Sequence, residues 1–514
     1  MTQSSSVAST QANSPRFFVL ASAILASAMG FIDGSIVAIA LPQMRVALDA
    51  SFVEAQWIAS SYVLMLSALI MLGGSLGDRI GVRRAFSFGV VIFVIASLAC
   101  AVAQTSEQLI LFRALKGIGA AVMIPGSMSL IAVNVPRAER GAAMGIWIAA
   151  SSITTACGPL LGGLLLTYGD NSAWRWIFAI NLPLGAAVLV MLYTKVRDDH
   201  VETGEPKAPV DWAGIVLSVA SLGLLAGGLT ALGESDAGGL AVAMICAGLV
   251  LVAVTVVVQL KLRHPIIPVQ LFANRAFAGA NLFTLLAWMP IAAVVFFLPM
   301  VLIVGWQLPP SYAGAMFLPM SALIAIFSPL AGRMADRVGT LPMLVSGGVV
   351  LGLSSLALAA AVFYQQFWLG ILPSLALLGV GMGLAASPMS TAIMNSVDDS
   401  QVGSASGINN MVARMANLFA IAGLGALVAY VYALIVRAGS VPEIVRDGLL
   451  ETGFGERLTG GLYVEPAVRL QKVAMDHAMI ALCLALAVLC VIASLIAWAS
   501  LPKSGKEERE AEAG

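Results

Sequence analysis

Four ionisable side chains of this chain lie where such groups are costly. Asp33 is the only acid deep inside any of the long apolar runs, within FFVLASAILASAMGFIDGSIVAIALP (17–42), and Arg113, Lys116 and Arg414 are cations inside other runs. A carboxylate at membrane depth must be neutralised, paired or hydrated, so an intramembrane ionisable group is a functional-site candidate by default. An acid that gains and loses a proton beside a fixed cation suits the coupling of ion movement to solute movement. Asp33 and Lys116 fall at similar depths from the same face, roughly 10–14 Å below it at about 1.5 Å of rise per residue. Arg113 precedes Lys116 by one turn on the same helix face. The expectation is that Asp33 pairs with Lys116 or Arg113. Protonation would break the pair, and because an unpaired buried charge is costly, occupancy would be linked to conformation. The competing account is a static bridge that only registers the helices.

The elements that must hold these groups are membrane helices. Of 514 residues 60% are apolar and 11% charged, whereas soluble domains carry about 25% charged residues. A spanning helix needs about 20 mostly apolar residues. Fourteen stretches meet that rule: 17–42, 54–77, 85–104, 108–132, 141–168, 174–194, 212–232, 239–260, 277–304, 312–332, 341–363, 367–394, 403–436 and 477–501. The fold class expected is therefore an all-α integral membrane protein.

Lys+Arg and Asp+Glu balance at 27 each, which gives no basic excess for a nucleic acid partner. The three histidines and five cysteines show no metal-ligand spacing, so neither a metal nor a cofactor is expected. No nucleophile–base constellation or sizeable soluble domain speaks for an enzyme. With the N-terminus inside, the cytoplasmic segments collect Arg16, Arg79, Arg83, Arg84, Arg137, Arg140, Lys195, Arg197, Lys207, Lys261, Arg263, Arg275, Arg333, Arg337, Lys503, Lys506 and Arg509, whereas the short opposite loops hold Arg45 and Arg175. The positive-inside rule then places both termini in the cytoplasm. A multi-pass protein of a bacterial cytoplasmic (inner) membrane is expected.

One loop motif occurs twice. GSLGDRIGVRR (74–84) follows the second span and GRMADRVG (332–339) follows the tenth, both fitting G-x-x-x-D-R-x-G. The residues of interest are Gly74, Asp78, Arg79, Gly81 and Arg84 in one copy and Asp336 and Arg337 in the other. Internal repetition in transporters means two homologous bundles around a midplane site. Simple duplication of a six-helix half puts six spans between the copies, yet eight are counted, so two helices, 212–232 and 239–260, have been inserted. They are expected at the periphery, away from the pocket. The organisation read is a tail 1–16, a six-helix bundle 17–194, a central segment 195–276 with the extra helices and a linker, a second six-helix bundle 277–501 that includes the outer loop 437–476, and a tail 502–514. Asp78 and Arg79 are placed in a tight turn that cannot continue as a helix through Gly81. Arg83, Arg84, Arg137, Glu139 and Arg140 are expected to complete a charge cluster there. A Gly-rich outer loop suggests a hairpin or short interfacial helices, serving as a lid or a tether.

These loops resemble the conserved cytoplasmic-loop motif of the major facilitator superfamily, and other stretches are similar to its fourteen-span drug:proton antiporter branch. FIDGSIVAIALP (31–42) resembles the first-helix pattern with Asp33 at the acidic position, although Ala38 replaces the usual Asn. LILFRALKGIGAA (109–121) resembles the fourth-helix motif, with Lys116 where Gln is common. CGPLLGG (157–163) is similar to the antiporter motif, supplying Gly158, Pro159, Gly162 and Gly163. WRWIFAINLPLG (174–185) resembles the sixth-helix signature, and NNMVARMAN (409–417) the thirteenth-helix Asn/Arg segment.

The resemblance implies the major facilitator fold and efflux of amphipathic compounds in exchange for protons by alternating access. It implies cationic substrates such as dyes, quaternary ammonium compounds, biguanides and antibiotics. Three deep cations against one acid leave neutral, zwitterionic and anionic substrates open. Pocket candidates are Trp57, Tyr62, Trp147, Trp288, Phe296, Met382, Asn410 and Arg414, since aromatic and thioether surfaces suit promiscuous binding. The partners expected are the lipid bilayer, a small-molecule substrate and protons, with the protein acting as a monomer. The alternative on the same fold is a dedicated transporter of one metabolite, peptide or siderophore.

Overall fold

Helix boundaries along the chain are set by a few capping residues. Ser51 accepts from Glu54 N while Glu54 Oε2 accepts from Ser51 N, a reciprocal box at the start of the second helix. Thr105, Asp211 and Asn274 accept backbone N–H groups at three further starts. The computed structural model describes residues 5–196, 211–233, 238–262, 265–398, 401–456, 458 and 465–502. The side chains of Asp78 and Arg137, residues 197–210 with Arg197, His200 and Lys207, Arg263 and His264, and the tail from 503 lie outside the described residues.

The helices are α1 (Ser5–Leu48), α2 (Phe52–Ile80), α3 (Val82–Val102), α4 (Ser106–Asn134), α5 (Arg137–Tyr168), α6 (Trp174–Ala179), α7 (Asn181–Lys195), α8 (Trp212–Ala231), α9 (Gly238–Lys261), α10 (Arg275–Met300), α11 (Pro310–Ala315), α12 (Phe317–Val338), α13 (Thr340–Phe363), α14 (Leu372–Met394), α15 (Val402–Ala438), α16 (Glu443–Thr452) and α17 (Glu465–Ser500). They supply 14 candidate membrane spans among the described residues, with α6–α7 and α11–α12 each forming one interrupted span. α10 ends in a π-helical turn, Val301–Gly305, and α14 is entered through another, Phe367–Ile371.

The duplicated motif has the same backbone signature in both copies. Gly81 stops α2 at φ 94° and Gly339 stops α12 at φ 88°, and their N–H groups donate to Gly77 and Ala335 carbonyls. Only glycine adopts that region without strain. Asp78 and Arg79 are not in the turn itself, as expected from sequence, but in the last turn of α2; one glycine suffices to break the helix.

Helices α2, α3 and α4 pack mutually, and α1 packs on α4, α5 and α7. In the second half α13 packs on α14 and α17, α12 on α14, and α10 on α15 and α17. Helix α8 lies against α2 and α15, and α9 lies mainly against α8. The halves meet where α5 touches α11 and α12, where α2 touches α15, and where α1 touches α10.

At the face opposite the chain termini, Arg45 is fully buried and helical, although the sequence placed it in a short loop. Helix α1 runs on past Pro42 to Leu48, and Arg45 reaches across to the other half. Its guanidinium donates to Ala50 O (3.0 Å), Phe454 O (2.5 Å), Thr452 O (2.9 Å) and Glu456 Oε2 (2.7 Å). Phe454 is buried among Phe52, Phe297 and Tyr432. From Glu443 to Glu456 the outer loop is thus an amphipathic helix, α16, followed by a tightly seated turn, and from Glu465 it belongs to α17.

Candidate functional site

Asp33 is 1% exposed and is held by both cations proposed for it. Its Oδ1 accepts from Lys116 Nζ at 2.5 Å and its Oδ2 from Arg113 Nη1 at 3.1 Å. The two partners differ in what else they touch. Lys116 donates to Ser97 Oγ (2.9 Å), which donates to Phe178 O (2.8 Å) and accepts from Asn181 Nδ2 (3.0 Å). The Lys116 ammonium also faces the rings of Phe93 and Phe178 at 4.6 and 4.9 Å. Arg113 donates through Nε to Ile58 O and lies 5.0 Å from the Tyr62 ring. Asn181 and Phe178, both in the WRWIFAINLPLG segment, therefore help to cage Lys116.

Close backbone approach makes this arrangement possible. A Cβ on Gly117 would meet Tyr62 O at 2.4 Å, so α4 can deliver Arg113 and Lys116 against α2 only with glycine there. The CGPLLGG segment does the same on the other side of α1. A Cβ on Gly158 would meet Ser35 Oγ at 2.2 Å, and one on Gly162 would meet Ile36 Cγ1 at 2.5 Å. One on Gly163 would meet Pro310 O at 2.4 Å, and one on Gly314 would meet Pro159 O at 2.1 Å. Helix α5 is therefore wedged between the Asp33 helix and α11 of the other half. Ser311 N donates to Thr167 Oγ1 along the same seam (3.0 Å).

A cavity of about 320 Å³ lies between the halves, within the size range of small-molecule sites. Tyr62, Trp288, Phe296 and Arg414 line it, together with Arg113, Thr155, Ser321 and Asn417. Asp33 and Lys116 lie behind its wall. Four pocket candidates are elsewhere. Trp57 packs at Gly227 of α8. Trp147 donates to Ser27 Oγ (3.0 Å) and meets Phe31 edge-on. Met382 is wholly enclosed in the second-half core, and Asn410 is exposed off the cavity. Asn417 was missed, yet it lies three residues beyond Arg414 on the same helix face, a spacing the sequence did offer.

A second buried acid was also missed. Asp476 is 6% exposed and accepts from Trp306 Nε1 (2.8 Å) and Gln365 Nε2 (3.3 Å), so Asp33 is not the only acid inside a long helix. Arg469, Lys472 and His477 depress local hydropathy, and the last span was read as starting at 477 whereas α17 starts at Glu465. In the repeated loops, Asp336, Arg337 and Arg84 are exposed, and Gly74 has open space where a Cβ would stand. The charge cluster expected there is partly committed within the first half: Glu139 pairs with Arg16 at 2.9 Å, Arg140 donates to Val135 O, and Arg83 stacks on Tyr193.

Two packed helical halves, a repeated loop and a cavity between the halves define the class as a multi-pass transporter of small molecules. The model of the Major Facilitator Superfamily matches residues 23–421, and the chain belongs to that family. It is 30% identical over 419 residues to Drug efflux pump JefA of Mycobacterium tuberculosis (strain ATCC 25618 / H37Rv), covering 79% of this chain and 80% of the relative. It is 32% identical over 413 residues to Multidrug resistance protein Stp of the same strain, covering 78% and 74%. Among solved structures it resembles a bacterial homologue of the human lysosomal transporter Spinster in an inward-facing, unoccupied conformation, with a TM-score of 0.69 at 17% identity, covering 95% of this chain and 98% of that one. The last likeness concerns the fold alone.

Proposed function

We propose that the protein is a proton-coupled efflux transporter of amphipathic compounds that works by alternating access. The similarity to a drug efflux pump and to a multidrug resistance protein supports export. The observation that carries the coupling is the position of Asp33, clamped by two cations on the helix that α5 wedges against the opposite half.

With Asp33 ionised, its pair with Lys116 and Arg113 holds α1 to α4. Protonation removes the charge that both cations need, and the cost of leaving them unpaired in an apolar interior drives α1 and α4 to repack. Because α5 follows α1 through Gly158 and Gly162 and meets α11 through Gly163, that repacking reaches the seam between the halves. Substrate is taken into the cavity with Asp33 ionised and released after a proton arrives from the other side. The repeated glycine-stopped loops act as the switch elements, and the protein works as a monomer in a bacterial cytoplasmic membrane with both termini inside.

The test is efflux of dyes, quaternary ammonium compounds and biguanides from proteoliposomes carrying an imposed pH gradient. Export that follows the gradient and stops with a protonophore is expected. Export indifferent to the gradient overturns the coupling, and transport of one narrow compound class would favour the dedicated carrier.

A further inference from the structure

The cavity lining holds two cations, of which only Arg113 has an acid, Asp33, to balance it among the described residues. Arg113 and Arg414 both line it, and no Asp or Glu does so among the described residues. Asp33 is not presented to a cationic ligand in this conformation, because its charge is paired with Arg113 and Lys116 and it is buried outside the cavity lining. Tyr62 does not serve either, since its hydroxyl donates to Gly30 O at 3.2 Å.

Arg414 is the less satisfied of the two arginines. It has no hydrogen-bond or ion-pair partner among the described residues, and its guanidinium rests 5.6 Å from the Phe31 ring. A guanidinium presents several donors in a planar fork matched to a carboxylate. Leaving such a group unpaired inside a bundle is costly, and a ligand that brings its own negative charge removes the cost. Most of the remaining wall is apolar or aromatic, including Trp288, Phe296, Phe317, Met320 and Ile324, with Ser35, Thr155, Ser321 and Asn417 as neutral polar members.

We infer that the cavity selects amphipathic organic anions, an aromatic or alkyl body with a carboxylate or a comparable acidic group, and that Arg414 binds the acidic group while the body lies against Trp288 and Phe296. This rests on the transporter reading for the role of the cavity, and it reverses the cationic preference that family resemblance implies. Since Arg113 is already committed to Asp33, the ligand's acid docks on Arg414 and leaves the Asp33 pair intact.

The experiment is equilibrium binding to the full-length protein in phosphatidylcholine nanodiscs, with no pH gradient. The probes are naphthylacetate, its neutral amide and the naphthylethylammonium ion, which share a body and differ in charge. The carboxylate is expected to bind tightest. Arg414→Leu should weaken it by about tenfold to a hundredfold, the span of one charge-assisted hydrogen bond, without weakening the amide. Arg414→Lys should keep the preference for the anion with reduced affinity, and amide binding reports that each variant is folded.

Tighter binding of the ammonium ion, or Arg414→Leu that leaves carboxylate binding unchanged, overturns the inference. Loss of carboxylate binding on adding phosphatidylglycerol would also overturn it, by assigning Arg414 to a lipid headgroup. These outcomes are separate from the coupling proposal: gradient-driven export of a cation alongside ammonium-selective binding sinks only the charge assignment. Carboxylate-selective binding without gradient-driven export sinks only the coupling.

Discussion

Replacing Asp33 by asparagine keeps the size of the side chain and removes its charge. Removing one partner of a buried ion pair costs about 3–5 kcal/mol, because the other charge is left uncompensated. Here two cations are stranded, but neither is left bare. Lys116 keeps Ser97 Oγ at 2.9 Å and the faces of Phe93 and Phe178, and Arg113 keeps Ile58 O and the Tyr62 ring. The loss is therefore expected at the low end, about 3 kcal/mol, or roughly a hundredfold in the equilibrium between conformations. Adding Lys116→Met to Asp33→Asn removes one stranded charge and should recover a large part of that loss, with a coupling of about 1–3 kcal/mol between the sites. The assays are melting temperature in detergent and efflux from proteoliposomes at matched protein levels, across a series of imposed pH gradients. Asp33→Asn should retain substrate binding and lose the response to the gradient. Undiminished pH-dependent efflux in Asp33→Asn removes this acid from the coupling. A double variant that regains both stability and gradient-driven efflux would show the pair to be a static bridge.

The seam between the halves should be equally specific. Gly163→Ala places a Cβ 2.4 Å from Pro310 O, so α5 and α11 must part at a cost of about 1–3 kcal/mol; turnover should fall with little change in expression, and unchanged turnover would contradict the seam. Gly74→Ala meets nothing within 4 Å, so stability and binding should match wild type, and any defect should appear only in turnover. Arg45→Ala strips three hydrogen bonds from the turn at 452–456 and should raise the labelling rate of Thr452→Cys by an impermeant maleimide. Equal labelling would mean that the turn is held by Phe454 alone. Burial pushes the Glu456 carboxyl up, while Arg45 opposes and Asp49 adds to the shift. Because the seated turn favours protonated Glu456, seating is strongest below the ordinary carboxylate range and weakens as pH rises through the raised value. Labelling at Thr452→Cys should therefore increase with pH over that window, and Glu456→Gln should flatten the dependence.

Much of the architecture is written in the chain itself. A helix that crosses a bilayer must satisfy its own backbone and present apolar side chains over its whole length, so fourteen spans can be read from hydropathy. Gly81 and Gly339 mark the same helix end twice, because a left-handed residue admits few side chains. Asp33, Arg113 and Lys116 are legible as a trio because charges in hydrocarbon must find one another.

Facing is what the chain did not disclose. Lipid tails are as apolar as a protein core, so nothing in sequence separates Trp288, which lines the cavity, from Trp57 against α8, Trp147 on Ser27 or Met382 in the core. Charged flanks hid the burial of Arg45 and Asp476, since a hydropathy window ends a span where polar residues begin, even when the helix continues into contact with the other half or a neighbouring turn. Packing alone decided that Lys116 is caged while Arg113 reaches the cavity, and that Arg414 stands there with no acid to meet it among the described residues.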